Sequence, residues 1–198
     1  PTSAAHKPSP HESAHLHALG EATYVDDLPE LHGTLHGALG LSTHAHAEIE
    51  SIDLKAVRGM RGVVDVLLST DIPGLNECGP IVHDDPILAD KIVQYVGQPI
   101  FMVVAHDREV ARRAAKLANI RYKPLSPALT IFGAHQRESY VVPPVVLQRG
   151  HVTEKINAAQ YRLKGNFSVG GQEQFYLEGQ ISYAVPKEDA CIHLYCST

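Results

Sequence analysis

The sequence predicts an α+β fold, and three observations carry that expectation. Apolar runs of strand length are scattered along the chain with one long amphipathic stretch among them. They do not recur in a regular βαβ rhythm, which argues against a doubly wound parallel sheet. Proline and glycine gather between Lys123 and Gly150, where the chain is expected to run as an extended connector. The 198 residues suffice for one or two domains, and 44% hydrophobic with 20% charged content is ordinary for a globular core. A net charge of -5 lacks the basic balance of a dedicated nucleic-acid binder. The longest apolar run, Ile100 to Ala105, is far short of the ~20 residues of a membrane span.

Taken in order, the opening PTSAAHKPSP is polar, Pro-rich and without an apolar signal core, so residues 1–13 are expected to form a tail. Thr34–Ser42 fits a short strand weakened by two glycines. Glu48–Leu54 alternates as a strand, with Asp53 placed to cap a helical turn that reaches Arg58. Val63–Leu68 is a β-branched run, and Asp71 opens a long loop through Asp90. Ile92–Val96 and Pro99–Ala105 are apolar runs parted by Gly97 and Gln98. Asp107 stands where an N-cap belongs, with Glu109 in the first turn of a helix expected to reach Asn119. Val110, Ala111, Ala114, Ala115, Leu117 and Ala118 form its inward face, and Arg108, Arg112, Arg113 and Lys116 its solvated one. Ile120–Tyr122 returns as a strand. Beyond the connector, Gln160–Val169, Gly179–Val185 and Ala190–Ser197 are strand-like. Because the chain stops on a strand with nothing to seal its edge, it is expected to be part of a longer polypeptide.

The stretch VGGQEQFYLE over 169–178 is the most informative for chemistry. Gly170 and Gly171 allow close backbone approach and positive φ, placing Gln172 at the tip of a tight turn. An amide NH2 donates to an oxo or carbonyl oxygen without carrying charge. Phe175, Tyr176 and Leu177 are expected to fill apolar space, and Glu178 is a possible acceptor. The plainer alternative is a bend between strands whose Gln172 is spent on backbone groups.

With GEATYVDDLP at 20–29, GPIVHDDP at 79–86 and VGQP at 96–99, this stretch resembles the xanthine dehydrogenase/aldehyde oxidase family over nearly the whole chain. The family's G-G-Q-E-H-F-Y-L-E signature appears at 170–178 with Gln174 in place of its histidine. The resemblance is to molybdenum-binding subunits and implies an α/β hammerhead domain over 14–125, a connector over 126–159, and the truncated start of a molybdopterin-binding domain over 160–198. It implies that Gln172 hydrogen-bonds an oxo ligand of molybdenum, with Gly171 beside the cofactor. The implied reaction is hydroxylation of a purine or aldehyde carbon with oxygen from water, a carboxylate serving as general base and molybdopterin carrying the redox step. The implied partners are the remainder of the molybdenum subunit and a subunit or domain holding iron-sulfur clusters and FAD. The family's base and substrate-binding residues lie beyond Thr198. No catalytic residue is therefore assigned here, and neither Glu173 nor Glu178 is taken for the base. The fragment alone is expected to be inactive and without bound cofactor. A non-catalytic assembly module and an aldehyde oxidase are the alternatives.

Thirteen histidines stand out in the composition, but His11, His15, His17, His32, His36, His44 and His46 repeat no zinc-ligand spacing, so surface or hydrogen-bonded roles are expected. His83-Asp84-Asp85 reads as a turn in which aspartates cap backbone groups. Cys78, Cys191 and Cys196 are odd in number without CxxC spacing, which fits a reducing compartment, with the cytoplasm as default.

Overall fold

The computed structural model describes residues 7–197. The first part of the tail expected at 1–13, residues 1–6, lies outside them. In chain order the elements begin with α1 (Ala14–Leu19), β1 (His36–Leu41), β2 (Ala47–Asp53), α2 (Lys55–Arg58), β3 (Val63–Leu67) and β4 (Ile92–Val93). Then come β5 (Pro99–Ala105), α3 (Arg108–Ala115), β6 (Asn119–Pro124), α4 (Ile131–Gln136), α5 (Val152–Ala158), β7 (Ser182–Pro186) and β8 (Ile192–Cys196). All strand pairings are antiparallel among the described residues, which is the α+β arrangement expected. No helix among them is long and apolar enough to cross a membrane. The chain divides into two compact units, one of residues His32–Lys155 and the other of the described residues before and after it.

The His32–Lys155 unit holds two three-stranded sheets, in the orders β1-β5-β3 and β4-β2-β6. The central strand β5, PIFMVVA, has no exposed residue, with four positions buried and three half-buried, as a continuous apolar run of strand length should. Phe101 and Val103 from β5, Val66 from β3, Ala47 from β2, Val57 from α2 and Ala114 from α3 meet in one core. The strand β1 runs against β5 with alternating burial, and Gly40 sits where a Cβ would collide with the Phe101 ring. Helix α3 starts as expected: the Asp107 carboxylate accepts from the Glu109 and Val110 N–H groups at 2.8 and 3.0 Å. Those bonds, the Val110 one foremost, hold the Asp107 carboxyl below its ordinary pKa, with His36 helping by charge.

Several expectations need correction. The α3 helix ends at Ala115, not near Asn119, because Asn119 is already paired with Asp53 in the β2–β6 ladder. Leu117, expected inward, is therefore exposed. The run Ile92–Val96 forms only the two-residue β4, since the chain turns at 95–97 with Gly97 at φ 90°. The loop from Asp71 to Asp90 is stitched, but not by Asp84 or Asp85 side chains. Asn76 donates to the Leu88 carbonyl at 2.7 Å and accepts its N–H at 2.9 Å, while the Glu77 carboxylate accepts from Gly79 and Asp85 N–H groups. The connector carries two short helices, α4 and α5, that its prolines and glycines did not foretell.

In the other unit, α1 closes on Gly20, whose φ of 75° is the left-handed C-cap a glycine adopts freely. The strands β7 and β8 form a hairpin, close to the boundaries expected for Gly179–Val185 and Ala190–Ser197. Its turn places Asp189 and Ala190 at φ 56° and 55°, the two positive values of a type I′ turn. The expected strand Gln160–Val169 does not form, and its residues are exposed. A β-prone run needs a neighbouring ladder, and none lies beside it among the described residues.

Candidate cofactor-contacting site

In the unit formed by the two ends of the chain, two distant stretches, Tyr24–Leu31 and Glu178–Tyr183, are bonded to one another. The first begins with a 3-10 turn at Val25–Asp27, where the Asp27 carboxylate accepts the Tyr24 N–H at 3.0 Å. The next N–H, that of Val25, donates to Oε1 of Glu178 at 2.8 Å. Further along, the Leu31 N–H donates to the Tyr183 hydroxyl at 3.0 Å, on a ring stacked against Tyr195. A hollow of about 520 Å³ opens beside the first of these bonds, lined by Tyr24, Tyr176, Leu177, Glu178, Gln180 and Ser197.

Upstream of Glu178 the geometry departs from the sequence reading. Gly170 and Gly171 do not take positive φ and form no tight turn; the left-handed backbone falls at Phe175, with φ 53°. Phe175, Tyr176 and Leu177 are 91%, 68% and 89% exposed instead of filling apolar space. Gln172 stands in solvent, and among the described residues its amide makes no hydrogen bond, so it is not spent on backbone groups. A Cβ placed on Gly170 or Gly171 would meet nothing within 4 Å, leaving the backbone on that side open to approach. The tie between Glu178 and Val25 was not visible in the sequence, because nothing in local spacing links residues 153 apart.

Two of the histidines the sequence singled out, His44 and His46, are engaged in side-chain contacts. His44 stacks on Tyr122 with centroids 4.3 Å apart, and His46 Nδ1 lies 3.0 Å from the Ser126 carbonyl. Among the described residues no group of three His, Cys, Asp or Glu side chains converges as a metal site. All three cysteines are exposed and none is in a disulfide.

Residues 19–126, more than half of the chain, match the family described as aldehyde oxidase and xanthine dehydrogenase, a/b hammerhead domain. The chain belongs to this family. Residues 134–198 match the molybdopterin cofactor-binding domain, so the fold is a hammerhead domain followed by the start of a molybdopterin-binding one. The chain is 39% identical over 193 residues to xanthine dehydrogenase/oxidase of Gallus gallus, covering 97% of this chain and 14% of that protein. It is 42% identical over 197 residues to nicotinate hydroxylase of Emericella nidulans, covering 96% of this chain and 14% of that protein. Against aldehyde oxidase 2 of Rattus norvegicus it is 41% identical over 194 residues, at 97% and 14% coverage. The chain thus spans about one-seventh of the length of these relatives. Aldehyde oxidoreductase from Desulfovibrio gigas shares the fold, with a TM-score of 0.80 over 96% of this chain and 23% of that one, at 24% identity.

Within this molybdenum hydroxylase family, the Gly170–Glu178 stretch lies inside the matched cofactor-binding region. A metal-oxo ligand can accept from an uncharged donor such as an amide NH2, given open backbone beside it. An uncommitted amide on Gln172, next to the unobstructed backbone of Gly171, fits that requirement.

Proposed function

We propose that this chain is the N-terminal part of the molybdenum-binding region of a hydroxylase that oxidises hypoxanthine and xanthine to urate, taking oxygen from water. The observation carrying this reading is the free amide of Gln172 in a family signature within the cofactor-binding match. In it, Gln172 donates to an oxo ligand of the cofactor, and Gly171 keeps that side of the backbone open. The bound molybdopterin supplies the redox capacity and the activation of water that side chains lack. In this reading residues 14–125 are the hammerhead domain, 126–159 the connector, and 160–198 the start of the molybdopterin-binding domain. The base and substrate-reading residues belong to the remainder of the molybdenum subunit. In this reading a partner subunit or domain would supply the iron-sulfur and FAD centres that accept electrons from the reaction. The exposed cysteines, none in a disulfide, support a cytoplasmic setting.

An aldehyde-oxidising reading stands beside it, because identity to the rat aldehyde oxidase is as high as to the avian xanthine dehydrogenase/oxidase. The test is a substrate profile of the full-length protein on xanthine, hypoxanthine, an aromatic aldehyde and nicotinate. Urate formation with the purines preferred supports the proposal. Turnover confined to aldehydes or to nicotinate overturns the purine reading and keeps the hydroxylase one. A full-length protein free of molybdenum and inert on all four would make the chain part of an assembly module.

A further inference from the structure

In the segment Gly170–Glu178 the residues are exposed up to Leu177, and Glu178 is the one partly buried. It is also the residue through which the segment is held, since among the described residues 170–177 make no hydrogen bond or ring contact. We propose that Glu178 is a positioning residue: by accepting the Val25 N–H it fixes the downstream end of the segment that carries Gln172, and so sets where that amide stands toward the cofactor. This rests on the reading of Gln172 as a cofactor contact.

The bond is built to hold. A carboxylate accepting an N–H at 2.8 Å is charge-assisted, stronger than a bond between neutral groups. Its donor is itself fixed, because Asp27 holds the preceding N–H, that of Tyr24, and the 3-10 turn orients both. The second tie, from Leu31 to Tyr183, keeps the two stretches aligned beyond it. The hollow between Tyr24 and Leu177 leaves the segment without packing on that side, so loss of the carboxylate is not made good by apolar contact. Gln172 lies six positions before Glu178, so the tie confines its amide to within about 20 Å of a fixed point. Glu178 therefore acts on the chemistry through Gln172, not as a proton acceptor.

The experiment uses the full-length, molybdenum-loaded protein with Glu178→Ala, Glu178→Gln and Gln172→Ala. Glutamine keeps an oxygen that accepts the same N–H. Two readouts are taken at equal molybdenum content: hydrogen exchange of the peptide containing Val25, and the paramagnetic resonance spectrum of the partly reduced metal centre. Glu178→Ala is expected to speed exchange at Val25 about tenfold or more, as for loss of a bond to a charged acceptor, and to alter the spectrum as Gln172→Ala does. Glu178→Gln is expected to match the unsubstituted protein in both. Should the alanine variant not accumulate folded, Glu178→Asp, one methylene shorter, puts the same question with the charge retained.

Unchanged exchange in Glu178→Ala denies the tie. Faster exchange with an unchanged spectrum makes the tie local, and a Glu178→Gln variant as disturbed as alanine removes the acceptor from the explanation. Each of these overturns the proposal. A Gln172→Ala spectrum identical to that of the unsubstituted protein overturns the reading of Gln172 itself, whatever Val25 does, and the positioning role falls with it.

Discussion

At Gly40 the backbone of β1 passes so close to the Phe101 ring that no side chain fits between them. The ring is itself 1% exposed in the core and cannot swing aside, unlike the Met102 thioether tip that faces Gly37. Gly40→Ala is therefore expected to destabilise by about 1–3 kcal/mol, the usual cost of overpacking. Urea unfolding checks it: the midpoint should fall with the slope unchanged. Asp107 makes a prediction of opposite character. Its carboxyl is held below its ordinary pKa by the N–H groups it caps, so its charged form favours the fold. That contribution is complete above the unfolded value of 3.8 and is lost as pH falls through the lower folded value. Asp107→Asn keeps an acceptor at the cap but not the charge. Its thermal midpoint should decline less steeply below pH 4 than that of the unsubstituted chain, read from melts at stepped pH.

Elements show where local pattern ends and context begins. The turn between β4 and β5 is held by Gln98, 2% exposed, whose side-chain oxygen accepts the Gln94 N–H at 2.7 Å while its carbonyl accepts from Ser42. Gln98→Ala strips a part-buried N–H of its acceptor and is expected to cost about 1–3 kcal/mol, again read from the unfolding midpoint. The sequence showed this glutamine between two apolar runs, but not that it would be buried with its side chain bonded to Gln94. Helix α3 was legible from its cap and its alanine face, because both signals are local. Its end was not, since the β2–β6 ladder claims Asn119 and overrides a pattern that reads on to that residue. Gln160–Val169 fails as a strand for the complementary reason: propensity is present and a pairing edge is not.

On the scale of the whole molecule, the isolated 198-residue chain is expected to hold no stoichiometric molybdenum and to form no urate from xanthine. Its described donor toward such a cofactor is a solvent-exposed amide, too little to retain one. Metal analysis of the purified chain, with an assay for urate, checks this; molybdenum near one per chain would sink it. By itself the sequence determined the family signature, the α+β class, the apolar runs that became β5 and the hairpin strands, and the identity of Gln172 as the group to watch. These depend on residue type and short-range order, which a linear reading contains. Only the tertiary structure decided that the glycines before Gln172 make no turn, that the aromatic residues after it face solvent, and that Glu178 is tied to Val25. Those outcomes turn on which backbone groups meet across 150 and more residues. Such meetings are settled by packing and by competition for hydrogen-bond partners, and neither is written in the spacing along the chain.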